Sequence, residues 1–485
     1  MSDTLAPERP APADFRLADW LVQPSLNRLS CDDRVIQLEP KLMDVLVFLA
    51  ENSGRVVSKN EITDAVWSEV FITESVITRS IAGLRRAFGD DVRNPSFIET
   101  ISKRGYRLIA QVTQESTEVG RAFEARPLGL PTAPPVTRTP VPFVVGQWVR
   151  GEKFYGRSAM VEEVLGGNRN WLWLLGTRRI GKTSMLKQLE LIAATSPEFG
   201  FVPVFWDLQG ADRPEELHLD FAESLLDAEE HLSGAGVSIS DVQADNCFDS
   251  LGRLRRQLRS KNLRLLLLCD EVEELIQLNR QDPALLRKLR RAMQSREDIR
   301  SVLASSSRLW QLAEAGEDTS PFLDGFSPPL YIGTLSDDEA GNLVRQSQLP
   351  DASRPVFGDA EITQIHKTCG NHPYLIQLLC RRALEHKDLE QATEEVAADR
   401  AVSFFFSVDF ELLSDTERAI ILLLAEQPKI SLKSVLESLA KPADGLAGHL
   451  KALQNLGLVA EDEAGGLFLP NDFLRRWLLE SRTTG

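Results

Sequence analysis

The spacing of apolar positions changes several times in the first hundred residues. Phe15–Leu21 and Arg28–Leu38 alternate apolar and polar side chains, broken by Pro24, Asn27 and Asp32–Asp33. Alternation of this kind predicts a small antiparallel sheet. After Pro40 the period becomes helical, with Leu42, Val45, Leu46 and Leu49 on one stripe and Gly54 ending the run. Ser58-Lys-Asn-Glu61 has the form of a capping box and predicts a second helix through Trp67. A third helix is expected over Glu74–Phe88, stopped by Gly89, and a hairpin from Phe97–Ile101 and Gly105–Ile109.

The third helix divides by angle. At about 100° per residue, Ile77, Ile81, Leu84 and Phe88 share one stripe, which must face a core. Ser75, Arg79, Ala82 and Arg86 lie opposite, flanked by Thr78 and Arg85. Arginine binds guanine edges bidentately, and small methyl groups touch thymine methyls, so such a face suits a major groove. Lys103 and Arg104 at the hairpin tip are placed to hold phosphate or enter the minor groove. An ordinary solvated face is the plainer alternative for any one of these arginines. Here the sheet, the capping box, the stripe and the hairpin all agree with a DNA reader.

Residues 14–112 resemble the OmpR-type winged-helix family, on "LEPKLMDVLVFLAENSGRVVSKNEITDAVW", "ITRSIAGLRRAFGDD" and "FIETISKRGYRLIA". The resemblance implies an N-terminal sheet, three helices, a recognition helix at Glu74–Phe88 and a wing at 97–109. Thr78, Arg79, Ala82, Arg85, Arg86, Lys103 and Arg104 are the expected DNA contacts. No receiver domain precedes this unit and no transmembrane stretch follows it, so a switch is expected downstream.

Downstream, Arg126–Pro142 holds six prolines, cannot be helical and reads as an extended linker. Beyond it, the apolar run Trp171–Leu175 leads into Gly176-Thr-Arg-Arg-Ile-Gly181-Lys182-Thr183 and a helical stretch from Ser184 to Ala194. This is G-x-x-x-x-G-K-T between a strand and a helix. Gly176 and Gly181 let backbone N–H groups turn onto phosphate oxygens, and the new helix offers its positive end, with Ser184 in the same turn. Lys182 reaches the β and γ phosphates and Thr183 ligates Mg²⁺. The strand Leu263–Cys269 ends in Asp270-Glu271. Asp270 is expected to hold Mg²⁺ and Glu271 to polarise the attacking water. ATP or ADP with Mg²⁺ are therefore the expected ligands, with Lys182 and Glu271 as the catalytic pair of a slow ATPase.

Between these motifs lies another strand-like segment, Phe201–Asp207. That spacing resembles the P-loop branch that includes AAA+ and STAND ATPases. In that branch the strand corresponding to Ile299–Ala304 ends in a polar sensor, which points to Ser305 or Ser306. Phe154-Tyr-Gly-Arg157 resembles the F-x-G-R segment of such ATPases, and implies that Tyr155 and Arg157 lie near the adenine. Gly370-Asn-His372-Pro373-Tyr374 resembles the GxHP segment that opens the helical lid, with His372 sensing the nucleotide. Arg178, Arg179 and Arg308 are arginine-finger candidates, although phosphate contact, expected of Arg179, or a structural role is the plainer reading.

Further on, Ser414-Asp-Thr-Glu417 is another capping box, before a helix over Asp415–Glu426. Helical patterns at Ser431–Leu439 and Gly445–Leu456 and a hairpin around "EDEAGG" follow, a second winged-helix pattern. Its eight basic residues face ten acidic ones, which favours an intramolecular role over DNA binding. Residues 386–412 show no functional signal.

The expected fold class is thus multidomain: an N-terminal α+β winged helix, a central α/β P-loop NTPase with helical lid, and a C-terminal winged helix. The expected boundaries are a tail (1–13), DNA-binding domain (14–112), linker (113–149), ATPase core (150–335), lid (336–412) and C-terminal domain (413–485). Length agrees, since 485 residues suggest roughly three domains. Net charge is −16, against indiscriminate coating of nucleic acid, yet residues 76–107 carry seven basic and three acidic side chains. Five cysteines without a CxxC pair argue against a zinc site or disulfide frame. No apolar run nears the roughly 18 residues of a membrane span, and the N-terminus has no signal-peptide pattern, so a cytoplasmic, nucleoid-associated protein is expected.

The leading expectation is a sequence-specific transcriptional regulator switched by ATP in signal transduction. Its partners would be double-stranded promoter DNA and further copies of itself, with RNA polymerase another candidate and no membrane. A DNA-remodelling ATPase of the initiator or transposition-helper kind is the first alternative, which strongly DNA-stimulated turnover would reveal. A nucleotide-stabilised signalling scaffold is the second, which tight ADP without turnover would reveal.

Overall fold

The computed structural model describes residues 14–31, 34–67, 74–90, 95–101, 104–114, 142–211, 213–294, 297–306, 309, 322–439 and 443–483. The expected tail, most of the proline-rich linker, Lys103, Ser307 and Arg308 lie outside the described residues. The chain divides into two units, Met1–Thr137 and Arg138–Gly485.

The first unit runs β1 (Phe15–Leu17), β2 (Trp20–Gln23), β3 (Arg28–Cys31), β4 (Arg34–Gln37), α1 (Pro40–Glu51), β5 (Val56–Val57), α2 (Lys59–Val66), α3 (Glu74–Phe88), β6 (Ile98–Ile101), β7 (Gly105–Leu108) and β8 (Val112–Gln114). Alternation in the first strands buries Phe15, Leu17, Trp20, Val22 and Leu29 on one face. The strand order is β4-β3-β2-β1-β8, and the last strand closes a β1 edge that the sequence pattern left open. Pro40 opens α1 at a position that needs no N–H, and Ser58 and Glu61 form the expected capping box at α2. Ile77, Ile81, Leu84 and Phe88 of α3 join one core with Leu46, Leu49, Trp20 and Tyr106. Strands β5, β7 and β6 make the small wing sheet.

The second unit begins with α4 (Ser158–Gly166), β9 (Trp171–Leu175), α5 (Lys182–Thr195), β10 (Phe201–Asp207), α6 (Pro214–Asp227), α7 (Glu229–Gly234), α8 (Ile239–Val242), α9 (Cys247–Ser260), β11 (Arg264–Asp270), α10 (Leu275–Gln281), α11 (Pro283–Gln294), β12 (Ile299–Ser305) and β13 (Leu330–Tyr331). The five strands are parallel in the order β10-β11-β12-β9-β13. Continuous apolar strands such as WLWLL and RLLLLCD are what a sheet covered on both faces requires. Alternate residues go to opposite cores. Leu172, Leu174, Leu266 and Leu268 pack with α4 and α5. Trp173, Leu175, Leu265 and Leu267 pack with α6, α9, α10 and α11. Arg300 in β12 fixes α4 to the sheet by donating to the Val164, Leu165 and Gly167 carbonyls at 2.7, 2.9 and 2.7 Å.

A helical region follows: α12 (Asp337–Arg345), α13 (Asp359–Cys369), α14 (Pro373–His386), α15 (Leu389–Ala397) and α16 (Arg400–Glu411). It runs into α17 (Asp415–Glu426), β14 (Ile430–Ser431), α18 (Leu432–Leu439), α19 (Ala443–Asn455), β15 (Ala460–Glu461), β16 (Gly466–Phe468) and α20 (Asp472–Thr483). The last part is three helices and a β14-β16-β15 sheet, with α20 added beyond the expected pattern. Lid and C-terminal helices share a single hydrophobic core, from Leu343 and Leu375 through Phe405 to Ile421, Leu453 and Leu474.

One glycine decides the wing. Gly105 has φ +125°, and a Cβ there would stand 1.9 Å from the Val57 carbonyl oxygen. Gly105→Ala is expected to destabilise the N-terminal unit by at least about 2 kcal/mol, read as a lower urea midpoint for that unit.

Candidate functional site

Two groups of residues carry chemistry, one in each unit. In the first, the buried stripe of α3 sets which side chains remain for a partner. Arg86 is exposed, Ala82 is half-buried, and Thr78 Oγ1 lies 3.4 Å from the Tyr106 hydroxyl. Arg104, at the β6–β7 turn, is also exposed. The side chain of Arg79 lies outside the described residues. Arg107 is tied to Glu99 at 2.5 Å, which reduces the positive field of the wing.

The expectation for Arg85 is corrected. Its side chain is 3% exposed and donates from Nη2 to the Ile98 carbonyl at 3.0 Å and to Thr100 Oγ1 at 2.7 Å. The helical period explains this, because a residue four beyond Ile81 stands only about 40° from the buried stripe. Arg85 therefore joins α3 to the wing and does not face outward.

In the second unit, β9 ends at the glycine-rich loop and α5 begins at Lys182. Gly181 has φ +102°, which turns the loop into the helix. At Gly176 a Cβ would meet Ile332 at 2.5 Å, so the loop's start lies against β13's following residue. Thr183 Oγ1 donates to Asp270 Oδ2 at 2.6 Å, joining the loop to the end of β11. Lys182 Nζ donates to the Gly176 and Thr177 carbonyls at 3.1 and 3.0 Å. Glu271 follows Asp270 in a left-handed backbone conformation, φ 49° and ψ 42°. Both carboxyls are raised above the ordinary range. Burial is the main cause for Asp270, followed by the Asp207 charge. For Glu271 it is again burial, then the Asp270 and Glu273 charges. The loop residues and the Asp270-Glu271 pair, expected to form one site, lie together in the structure through the Thr183–Asp270 hydrogen bond.

The other expected nucleotide contacts have the following surroundings. The Ser305 hydroxyl is a correction: it is fully buried, accepts from Trp173 Nε1 at 2.7 Å and donates to the Ser306 carbonyl at 3.0 Å. Strand alternation turns it to the Trp173 side of the sheet, away from the loop. Ser306 donates its N–H to Glu273 Oε1. Ser184 Oγ accepts from the Val149 N–H at 3.1 Å. Arg157 donates to the Ile180 and Gly333 carbonyls, both at 2.9 Å, and so braces the loop through its backbone. Tyr155 is buried in the lid core, its hydroxyl 3.4 Å from the Gln348 N–H. Arg179 stacks over the Tyr374 ring at 4.4 Å, and this links the loop to α14. His372 is buried with neither ring nitrogen hydrogen-bonded, and burial pulls its pKa down to about 3. It is therefore neutral.

No sequence pattern points to Asp409. Its carboxylate accepts the Arg178 N–H at 3.1 and 3.2 Å, across 231 positions of the chain. Burial pushes its carboxyl up to about 6, against the Arg178 N–H and the Lys182 and Arg178 charges.

Fold and site together define a winged-helix unit joined in sequence to a P-loop α/β unit. Residues 33–108 match the family described as transcriptional regulatory protein, C terminal. The chain is 42% identical over 127 residues to the transcriptional activator CadC of Escherichia coli strain K12, covering 26% of this chain and 25% of CadC. It is 34% identical over 95 residues to the cholera toxin transcriptional activator of Vibrio cholerae, covering 19% of this chain and 32% of that protein. The chain thus spans about a quarter to a third of these relatives. The N-terminal unit is an OmpR-type winged-helix DNA-binding domain. A Walker-type ATPase of Pyrococcus abyssi aligns with 68% of this chain and 98% of its own, at 17% identity and a TM-score of 0.48. Among the described residues no helix is long and apolar enough to cross a membrane.

The different roles of neighbouring arginines are separable. Arg85→Ala is expected to lower the thermal midpoint of the N-terminal unit, since buried carbonyl and hydroxyl partners lose about 1–3 kcal/mol of pairing. Arg86→Ala is expected to weaken binding to duplex DNA, with a shallower salt dependence.

Proposed function

We propose that the chain is a transcriptional regulator that reads promoter DNA with its N-terminal winged helix and adjusts that reading through the nucleotide held by its P-loop unit. The observation that carries this is the Thr183–Asp270 contact of 2.6 Å, with Glu271 beside it, in a chain that also has a regulator's DNA-binding domain. CadC and the cholera toxin protein are named as transcriptional activators, which supports a promoter as the target.

Each residue has a stated task. The exposed Arg86 and the α3 face around Ala82 contact base edges, and Arg104 contacts phosphate. In the second unit the loop amides from Gly176 to Thr183 hold phosphate oxygens, and the N-terminus of α5 adds its positive field. Lys182 exchanges its carbonyl partners for the phosphates. Thr183 Oγ1 and Asp270 Oδ2 are adjacent oxygen donors, which fits Mg²⁺, an ion held by one or two protein oxygens with water and phosphate as its other ligands. Bound there, Mg²⁺ would neutralise charge on the phosphates. Glu271 orients the water that attacks. Turnover is slow, and the bound state, ATP or ADP, is the signal. Two copies on adjacent half-sites bind more tightly through linkage.

Lys182→Ala is expected to lower affinity for ATP and ADP about 10- to 100-fold, through loss of a charge-assisted contact. The same variant is expected to change operator occupancy. Operator fragments titrated with nucleotide-free, ADP-loaded and ATP-loaded protein test the switch directly, and three equal affinities would refute it. Glu271→Gln is expected to keep nucleotide binding and to lower hydrolysis by about 10²-fold or more.

A further inference from the structure

α16 runs from Arg400 to Glu411, capped at its start by Asp399, whose side chain accepts the Ala401 N–H. Val402, Phe405 and Phe406 are buried in the core shared by lid and C-terminal helices. Asp409 lies four residues past Phe405 and three past Phe406, so the helical period places it on the same side. A carboxylate directed toward an aromatic wall needs a partner. Its partner is the backbone N–H of Arg178, the third residue of the glycine-rich loop. Phe405, Phe406, Phe410, His372 and Thr177 border the same cleft, of about 520 Å³ including the open space at its mouth.

A loop of this kind uses its amides to hold phosphate oxygens. Asp409 is therefore an anion of the protein itself, seated on one of those amides. Arg178 lies in the first half of the loop, four residues before α5 begins at Lys182. Lys182 and Thr183 begin the helix that holds the inner phosphates. The Arg178 amide, set back from that helix start and facing α16 through Asp409, is the loop donor on the terminal-phosphate side.

We propose that Asp409 is an internal occupant of the terminal-phosphate end of the loop, so that a nucleoside triphosphate must expel it whereas a diphosphate leaves it in place. This rests on the nucleotide-binding reading above and adds the feature that distinguishes the two ligands. One N–H does not serve a carboxylate and a phosphate oxygen at once, and the two anions repel. Expulsion moves α16. That helix carries Phe406 and Phe410, whose rings lie 6.0 and 5.9 Å from Trp477 on α20. The terminal phosphate is thereby read by the C-terminal helices through an aromatic contact.

The test uses the full chain with Mg²⁺ and either ATP or ADP, titrated by calorimetry. Asp409→Ala is expected to tighten ATP binding by about tenfold and to change ADP binding far less. Asp409→Asn, which keeps the shape and one acceptor oxygen, is expected to fall between. Hydrogen exchange on the wild-type chain needs no variant: ATP is expected to speed exchange across residues 400–411, and ADP is not. Equal effects of Asp409→Ala on both nucleotides, or equal exchange with both in the wild type, would overturn the inference while leaving nucleotide binding intact. A wild-type chain that binds neither nucleotide would instead refute the binding reading, before any variant is made.

Discussion

Where β9 turns into α5, the first backbone N–H groups of the helix have no carbonyl in the preceding turn to bond, as at every helix start. Here that deficit is concentrated in a loop whose glycines turn further amides the same way. Such a concentration of donors demands anions, and the surrounding residues are arranged by that demand. Asp409 meets it at Arg178 from the lid. Thr183 links the helix start to Asp270, so the anion site and the carboxylate that would offset it with a cation share one hydrogen bond. Lys182, lying over the loop, is held by the loop's own carbonyls at Gly176 and Thr177.

The same demand explains why carboxyls gather around the loop. Asp270, Glu271 and Asp409 are each raised above their usual range, and burial is the leading cause in all three. Asp270 is held by the Thr183 hydroxyl and Asp409 by the Arg178 N–H, and the Lys182 charge favours the ionised form of all three. Arg157 and Arg179 take a different part. Arg157 donates to the Ile180 carbonyl of the loop and to the Gly333 carbonyl beyond β13, and Arg179 stacks on Tyr374 of α14.

Local patterns were legible to the extent that their physics is local. The stripe Ile77, Ile81, Leu84 and Phe88, the capping boxes at Ser58 and Ser414, and the strand–loop–helix around Lys182 each lie within one or two turns of chain, and each folds as its spacing indicates. Arg85 and Ser305 show the limit. Each was assigned from its residue type and neighbourhood, but each side chain is turned by a local period toward a partner that sequence does not reveal, Ile98 in one case and Trp173 in the other. Asp409 lies beyond that limit altogether. No pattern within 386–412 distinguishes it from any other helical aspartate, because its meaning comes from a contact 231 residues away. Helix α20 was missed for a related reason: its apolar face matters only because α13, α16 and α17 pack against it.

The chain contains two winged-helix patterns, and they show that a fold does not set its own use. The N-terminal one has a closed core of its own and leaves Arg86 and Arg104 exposed. The C-terminal one has its core continuous with the lid, through Phe405, Phe406, Ile421 and Leu474. Several of its described cations have partners within the chain: Lys429 pairs with Asp462 at the hairpin, and Arg476 donates to Glu394 and Glu480. A module whose hydrophobic face is already spent on the lid moves with the lid or not at all.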